Sequence, residues 1–307
     1  MLDIFIILLP LFGLIGFGYL IGRSKIADSS WIVVLNLFGY YLAFPTLILK
    51  SLLGSNLSLT VHGSMILAQV LFGVGVLLLT WAICTVLRLD KRLRNTLTIG
   101  VYFSNAGYVG IPALQLVFGD AAAAEGTVIV SVMIVLTLTL GVSLLEGSRS
   151  KHLHLKPLLK NFLRNPLIWT IIIGTTIGLA GWHLPRPLPD TINLLAASAA
   201  PTVLVSLGIF LARNHMRKTT LRLAALLTGI KMVAIPAALG LVIWLLPNSA
   251  WLHTTFIQGS MPIAVTTFAL AQLYPMNKEL VSTSIVMSTL VSFVTIPLAM
   301  WLAQTVL

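Results

Sequence analysis

Ten apolar runs of roughly spanning length divide this chain, and nearly every charged residue falls in the gaps between them. The runs cover residues 3–22, 31–53, 62–87, 95–118 and 122–146, then 166–183, 189–212, 223–246, 251–274 and 279–304. A helix needs about 20 apolar residues to cross the hydrocarbon core. Against lipid a broken or unpaired backbone is not tolerated, and runs of this length suit membrane-spanning helices. The expected fold is therefore an all-α membrane protein of ten transmembrane helices. Composition agrees, since 58% of the 307 residues are hydrophobic and 9% are charged.

The cations fix an orientation. Alternate gaps hold Arg23 and Lys25, then Arg88, Lys91, Arg92 and Arg94, then Arg149, Lys151, Lys156, Lys160 and Arg164. The same set continues with Arg213, Arg217, Lys218 and Arg222, and ends with Lys278. The opposite gaps hold Arg186 alone, while Lys50 and Lys231 lie inside spans. Positive charge marks the cytoplasmic side, so both termini are expected on the outer side. The net charge of +11 is thus a topology signal and not a nucleic-acid surface, which would gather its cations on one folded face. The first run begins at Asp3 and carries its positive flank behind it, unlike a cleavable signal peptide. Cys84 is the only cysteine and no G-x-x-x-x-G-K motif occurs, so no disulfide, cysteine-bound metal, nucleotide site or other cofactor is expected.

The two halves share a plan. Pro10, Gly18 and Gly22 recur at Pro166, Gly174 and Gly178, and Pro45-Thr46 recurs at Pro201-Thr202, always 156 residues later. Five spans per half is an odd number, so residues 1–155 and 156–307 form repeats that lie inverted in the membrane. Inverted repeats are a recurrent transporter architecture. Gly18-x-x-x-Gly22 and Gly174-x-x-x-Gly178 have the spacing of close helix packing.

The chemistry is expected at two interruptions. The fourth run contains Phe103-Ser104-Asn105-Ala106-Gly107-Tyr108-Val109-Gly110-Ile111-Pro112, a poor continuous helix. The ninth contains Gln258-Gly259-Ser260-Met261-Pro262-Ile263-Ala264. Each proline is expected to open a second half-helix near the membrane centre. Such amino ends carry partial positive charge and free N–H groups, and together they suit a small anion. In lipid, a broken backbone is tolerated only inside the protein or against a watery cavity.

Asn105-Ala106-Gly107-Tyr108-Val109-Gly110-Ile111-Pro112 resembles the N-x-G-[NY]-x-G-x-P signature of the auxin efflux carrier family. Gln258 through Pro262, Asn165-Pro166 at the sixth span, and Lys231 ahead of Pro236 resemble that family too. The long central loop of the plant members is absent, so the chain is similar to the compact bacterial permeases. The resemblance implies a fold related to the bile-acid sodium symporters, with spans four and nine crossing at Pro112 and Pro262. It implies that spans 1, 2, 6 and 7 form a dimerising scaffold and that spans 3–5 and 8–10 form an elevator-like transport domain. It implies a homodimer in the bacterial cytoplasmic (inner) membrane, whose partners are membrane lipid and small organic anions such as mono- or dicarboxylates.

The candidate substrate-binding residues are Ser104, Asn105, Gly107, Tyr108, Gly110, Pro112, Gln258, Ser260, Met261, Pro262 and Lys231. Lys231 lies deep enough in its span to be a functional residue, but its long stem also suits snorkelling to the interface; Lys50, nearer a helix end, suits snorkelling better. No Asp or Glu lies deep in a span, which suits an anion site and leaves the coupling ion and the direction of transport open. His152 and His154 sit in a basic connector and His62, His183 and His253 at span ends, with no ligand cluster for a metal. Trp31, Trp182, Trp251 and Trp301 suit interface anchors. A membrane-embedded enzyme would need a catalytic acid, base or metal set in the spans, and Ser104 and Tyr108 have none beside them. A gated anion channel satisfies the same pattern as a carrier.

Overall fold

The computed structural model describes residues 1–24, 26–53, 59–147, 166–182, 184–245 and 250–305. Lys25, Asn165, His183 and the basic connector 148–165 with His152 and His154 lie outside the described residues, as do the side chains of His62, Trp251 and His253. The described residues are helical, with no strand element among them. In chain order they form α1 (Leu2–Arg23), α2 (Ser29–Leu53), α3 (Leu59–Val86), α4 (Lys91–Tyr102), α5 (Ala106–Phe118) and α6 (Asp120–Glu146). There follow α7 (Pro166–Ala180), α8 (Leu188–Arg213), α9 (Lys218–Val242), α10 (Ala250–Gly259), α11 (Thr266–Leu273) and α12 (Lys278–Thr305).

Seven of these, α1, α2, α3 from Met65, α6, α8, α9 and α12, are long and apolar enough to cross a membrane. The sequence leads one to expect ten. The difference has local causes: runs 95–118 and 251–274 are each interrupted into two shorter helices, and of the sixth run the described helix covers Pro166–Ala180. Large apolar side chains such as Phe17, Leu20, Val34, Leu67, Leu79, Leu194 and Val233 are exposed, a surface that water penalises and lipid covers. Hydroxyls along α6 are bonded locally: Thr127, Ser131, Thr137, Thr139 and Ser143 each donate to the carbonyl four residues back.

Among the described residues four π-helical turns punctuate the spans, at Gly39–Ala43, Ala106–Gly110, Thr137–Gly141 and Ile230–Ala234. Three of them are followed two residues later by proline: Pro45, Pro112 and Pro236. A proline ring clashes with the carbonyl four residues back, here Tyr41, Tyr108 and Met232. A widened turn moves that carbonyl aside, so the helix continues through the proline.

The chain divides into two compact units, neither a contiguous half of the sequence. The first comprises residues 1–64, 107–131 and 163–213. Its centre is α1 packed along the Ala199–Arg213 part of α8. A Cβ on Gly18 would collide with the Val205 backbone, and one on Gly208 with the backbone of Ile15, Gly18 and Tyr19. Gly22 sits equally close to Ile209 and Ala212. The spacing of Gly18 and Gly22 is therefore a packing stripe, as the sequence indicates. Gly174 of α7 makes a similar approach to Leu49 and Leu52 of α2. Asp28 caps α2 by accepting from the Ser30 N–H and hydroxyl, which hold its carboxyl below the usual carboxylate range, and the Arg213 guanidinium donates to the neighbouring Ala27 carbonyl.

The second unit comprises residues 65–106, 132–162 and 214–307. Here α12 is central, against α4, α9, α10 and α11. Its start is tied down by side chains. The Asn95 amide donates to the Pro275 carbonyl at 3.0 Å, the Asn277 N–H donates to Thr96 at 2.8 Å, and the Asn277 side chain accepts from the Leu280 N–H.

Candidate functional site

Two helix ends and two short irregular segments build the site within the second unit. Helix α4 stops at Tyr102, with the Phe103 N–H still donating to Ile99, and the chain runs extended to Asn105. Helix α10 stops at Gly259, and Ser260 to Val265 are irregular before α11 begins. The two segments pair antiparallel, with Ser104 opposite Ile263. The Asn105 N–H donates to the Pro262 carbonyl at 2.7 Å, and the Ala264 N–H donates to the Phe103 carbonyl at 3.0 Å. Each break thus satisfies part of the other's backbone, which lipid would not do. A third tie comes from α12, where the Ser288 hydroxyl accepts from the Ile263 N–H at 3.1 Å.

Lys231 lies in the π turn of α9 and is 1% exposed. Its ammonium donates to the Ser104 hydroxyl at 2.5 Å and to the Gly259 carbonyl at 3.0 Å. The head group is engaged inside the unit, so the snorkelling alternative does not describe it. Its two acceptors belong to the two different breaks. Gly259 is the last residue of α10, where carbonyls are left without intrahelical donors and the helix dipole is negative. The position therefore favours a cation.

At the two breaks, two buried amide side chains carry unsatisfied groups among the described residues. Gln258, 2% exposed, has neither its Oε1 nor its Nε2 bonded, and Asn105, 3% exposed, has an unbonded Nδ2. Because both ends of Gln258 are free, flipping its amide changes nothing. Leaving a buried amide unpaired costs about 1–3 kcal/mol, so such groups favour a hydrogen-bonding partner. Both are able to donate N–H groups, which suits an acceptor such as a carboxylate.

The sequence-derived residues separate on this geometry. Ser104, Asn105, Gln258, Met261, Pro262 and Lys231 are brought together in the second unit. Ser260 is buried there too, but its hydroxyl donates back to the Phe256 carbonyl in the last turn of α10. Gly107, Tyr108, Gly110 and Pro112 belong to the first unit, where Tyr108 stacks on Phe44 with ring centroids 4.8 Å apart. The two prolines stand differently. After the π turn Ala106–Gly110, Pro112 lies in the first turn of the α-helical stretch Ile111–Phe118, as expected of a proline that opens a half-helix. Pro262 does not open one: α11 begins at Thr266, four residues later, and the Pro262 carbonyl instead accepts from the Asn105 N–H of the other break.

Ser288 and the Gly259 carbonyl were not legible as site members. The signal for Ser288 is a stripe of hydroxyls, Ser284, Ser288 and Ser292, one helical turn apart and all buried in α12.

The family model described as membrane transport protein matches residues 3–300. A protein of Rhizobium meliloti (strain 1021) described as "Putative malonate transporter" is 26% identical over 307 residues, covering 97% of this chain and 95% of its own. An "Uncharacterized transporter" of Methanothermobacter thermautotrophicus is 27% identical, covering 92% of each chain. The rice protein described as "Probable auxin efflux carrier component 9" is 27% identical over 130 residues, 41% of this chain and 29% of its own. Built of helices that suit a bilayer and matched almost end to end, the chain belongs to the membrane transport protein family, that of the auxin efflux carriers, and is a multi-pass membrane transporter.

Proposed function

We propose that this protein is a secondary transporter of small organic anions, with short dicarboxylates of the malonate class as first candidates. The observation that carries the reading is the pair of buried, unpartnered amides, Asn105 and Gln258, on two mutually bonded breaks that also hold the Lys231 ammonium. An ammonium and free amide N–H groups are the donors a carboxylate requires. The malonate description of the Rhizobium relative narrows the size of acid to try first.

The architecture proposed with it is ten spans in two inverted five-helix repeats, residues 1–155 and 156–307. The interrupted spans, α4 with α5 and α10 with α11, are counted as the fourth and ninth. The constant offset of 156 residues supports the repeat, and the pairing of the two breaks supports their crossing. Spans 1, 2, 6 and 7 serve as a dimerising scaffold, a grouping supported by the inclusion of residues 1–64 and 163–213 in one compact unit. The remaining spans move elevator-fashion. Both termini face outward in a cytoplasmic membrane, which the alternation of cations supports. Export of a monoanion from a negative-inside cell gains about 2.3 kcal/mol per 100 mV, so efflux needs no coupled ion.

The test is flux of labelled malonate, other short dicarboxylates and an aromatic monocarboxylate in proteoliposomes, with potential, Na⁺ and H⁺ gradients set independently. Saturable flux of at least one acid that follows the potential is expected. No flux of any organic anion under any gradient would overturn the reading.

A further inference from the structure

We propose that the Lys231 ammonium is a covalently tethered cation, occupying the place where a co-transported cation would otherwise bind the broken helices. Broken spans commonly use unwound carbonyls and the carboxyl-terminal ends of half-helices to hold Na⁺ or a proton. Such ends lack backbone donors and carry the negative pole of the dipole. In this chain that coordination is already taken. The Gly259 carbonyl, at the end of α10, accepts from Lys231, and so does the Ser104 hydroxyl on the opposite break.

Both acceptors are uncharged, and among the described residues no carboxylate bonds this ammonium. That is an arrangement in which the anion itself completes the charge balance. The π turn of α9 supports the assignment. Its five residues, Ile230–Ala234, precede Pro236, and the widened turn displaces the backbone from ordinary α-helical register at Lys231 itself. Ser288 fixes the remaining strand by accepting from the Ile263 N–H, so the acceptors are held in place before any ligand arrives. A tethered cation of this kind makes the protein indifferent to the identity of the cations in solution. It also predicts that a small ammonium ion fits the hole left when the lysine side chain is shortened.

This inference rests on the transport reading above, but its test needs no substrate. The melting temperature of the purified full-length protein is measured in detergent at constant ionic strength in Na⁺, Li⁺, K⁺ or choline chloride, for wild type, Lys231→Ala and Lys231→Arg. Wild type is expected to melt at the same temperature in all four salts. Lys231→Ala is expected to melt lower and to recover part of the loss in ethylammonium chloride, which leaves wild type unmoved. A specific rise of wild type in Na⁺ or Li⁺ would overturn the proposal, and so would a stable Lys231→Ala protein indifferent to ethylammonium. If Lys231→Ala does not fold, Ser104→Ala decides: it is expected to melt lower than wild type and to stay indifferent to Na⁺, and a gain of stability in it would overturn the proposal. Loss of malonate flux alone bears on the transport reading and leaves these melting comparisons standing.

Discussion

The α1–α8 contact and the paired breaks use the same residue types to opposite ends. In the first, Gly18, Gly22 and Gly208 bring two helices so close that backbone meets backbone. In the second, the helices stop and backbone hydrogen bonds are exchanged between two short irregular segments, with buried amides left unpaired. Glycine at helical spacing on an unbroken helix gives packing. An interruption beside buried polar residues gives a site. Prolines do not separate the two cases, since Pro10 and Pro297 lie inside unbroken helices.

The largest expected effect is on the packing side. Gly208→Val places atoms where the backbone of Ile15, Gly18 and Tyr19 already lies, and backbone is unable to yield as a side chain does. Overpacking costs about 1–3 kcal/mol and more where nothing relaxes, so this variant should fail to give a monodisperse peak on gel filtration. A well-folded Gly208→Val protein would break the comparison at once.

Next comes a pair of opposite signs. Ser288→Ala removes the hydroxyl that satisfies the Ile263 N–H and should lower stability by about 1–3 kcal/mol, read as a lower melting temperature. Asn105→Leu and Gln258→Leu remove unsatisfied amides and should leave the melting temperature unchanged or raise it by the equivalent of about 1 kcal/mol, while flux falls. A loss of stability in both Leu variants would mean that those amides are bonded in the folded protein. The smallest effect is expected at the entry to α2. Asp28→Ala should remove the helix cap, lower the melting temperature only slightly and leave flux intact.

Much of this was readable from the chain itself. The apolar runs, the interruptions in the fourth and ninth, and the glycine stripe on α1 all follow from composition and spacing. The position of the second half-helix in the ninth run does not, because α11 begins four residues after Pro262, whose segment is held by pairing with the other break. Widened turns depend on how a displaced carbonyl finds space, which spacing does not encode. Nor was the setting of Lys231 readable: a helix apolar on every face gives no sign of which side is interior, and the acceptors at Ser104 and Gly259 are 127 and 28 residues away in sequence. The compact units were equally hidden, since their boundary passes between Ala106 and Gly107, inside a single motif.

The central claim is that the unpaired amides on the two breaks receive a carboxylate. Its most direct measurement is equilibrium binding of labelled malonate to the purified protein, comparing wild type with the Asn105→Leu/Gln258→Leu double variant at matched folding. Saturable binding by wild type, weakened by at least about tenfold in the double variant, is the result expected from losing two such hydrogen bonds. Equal binding by both proteins would contradict the account.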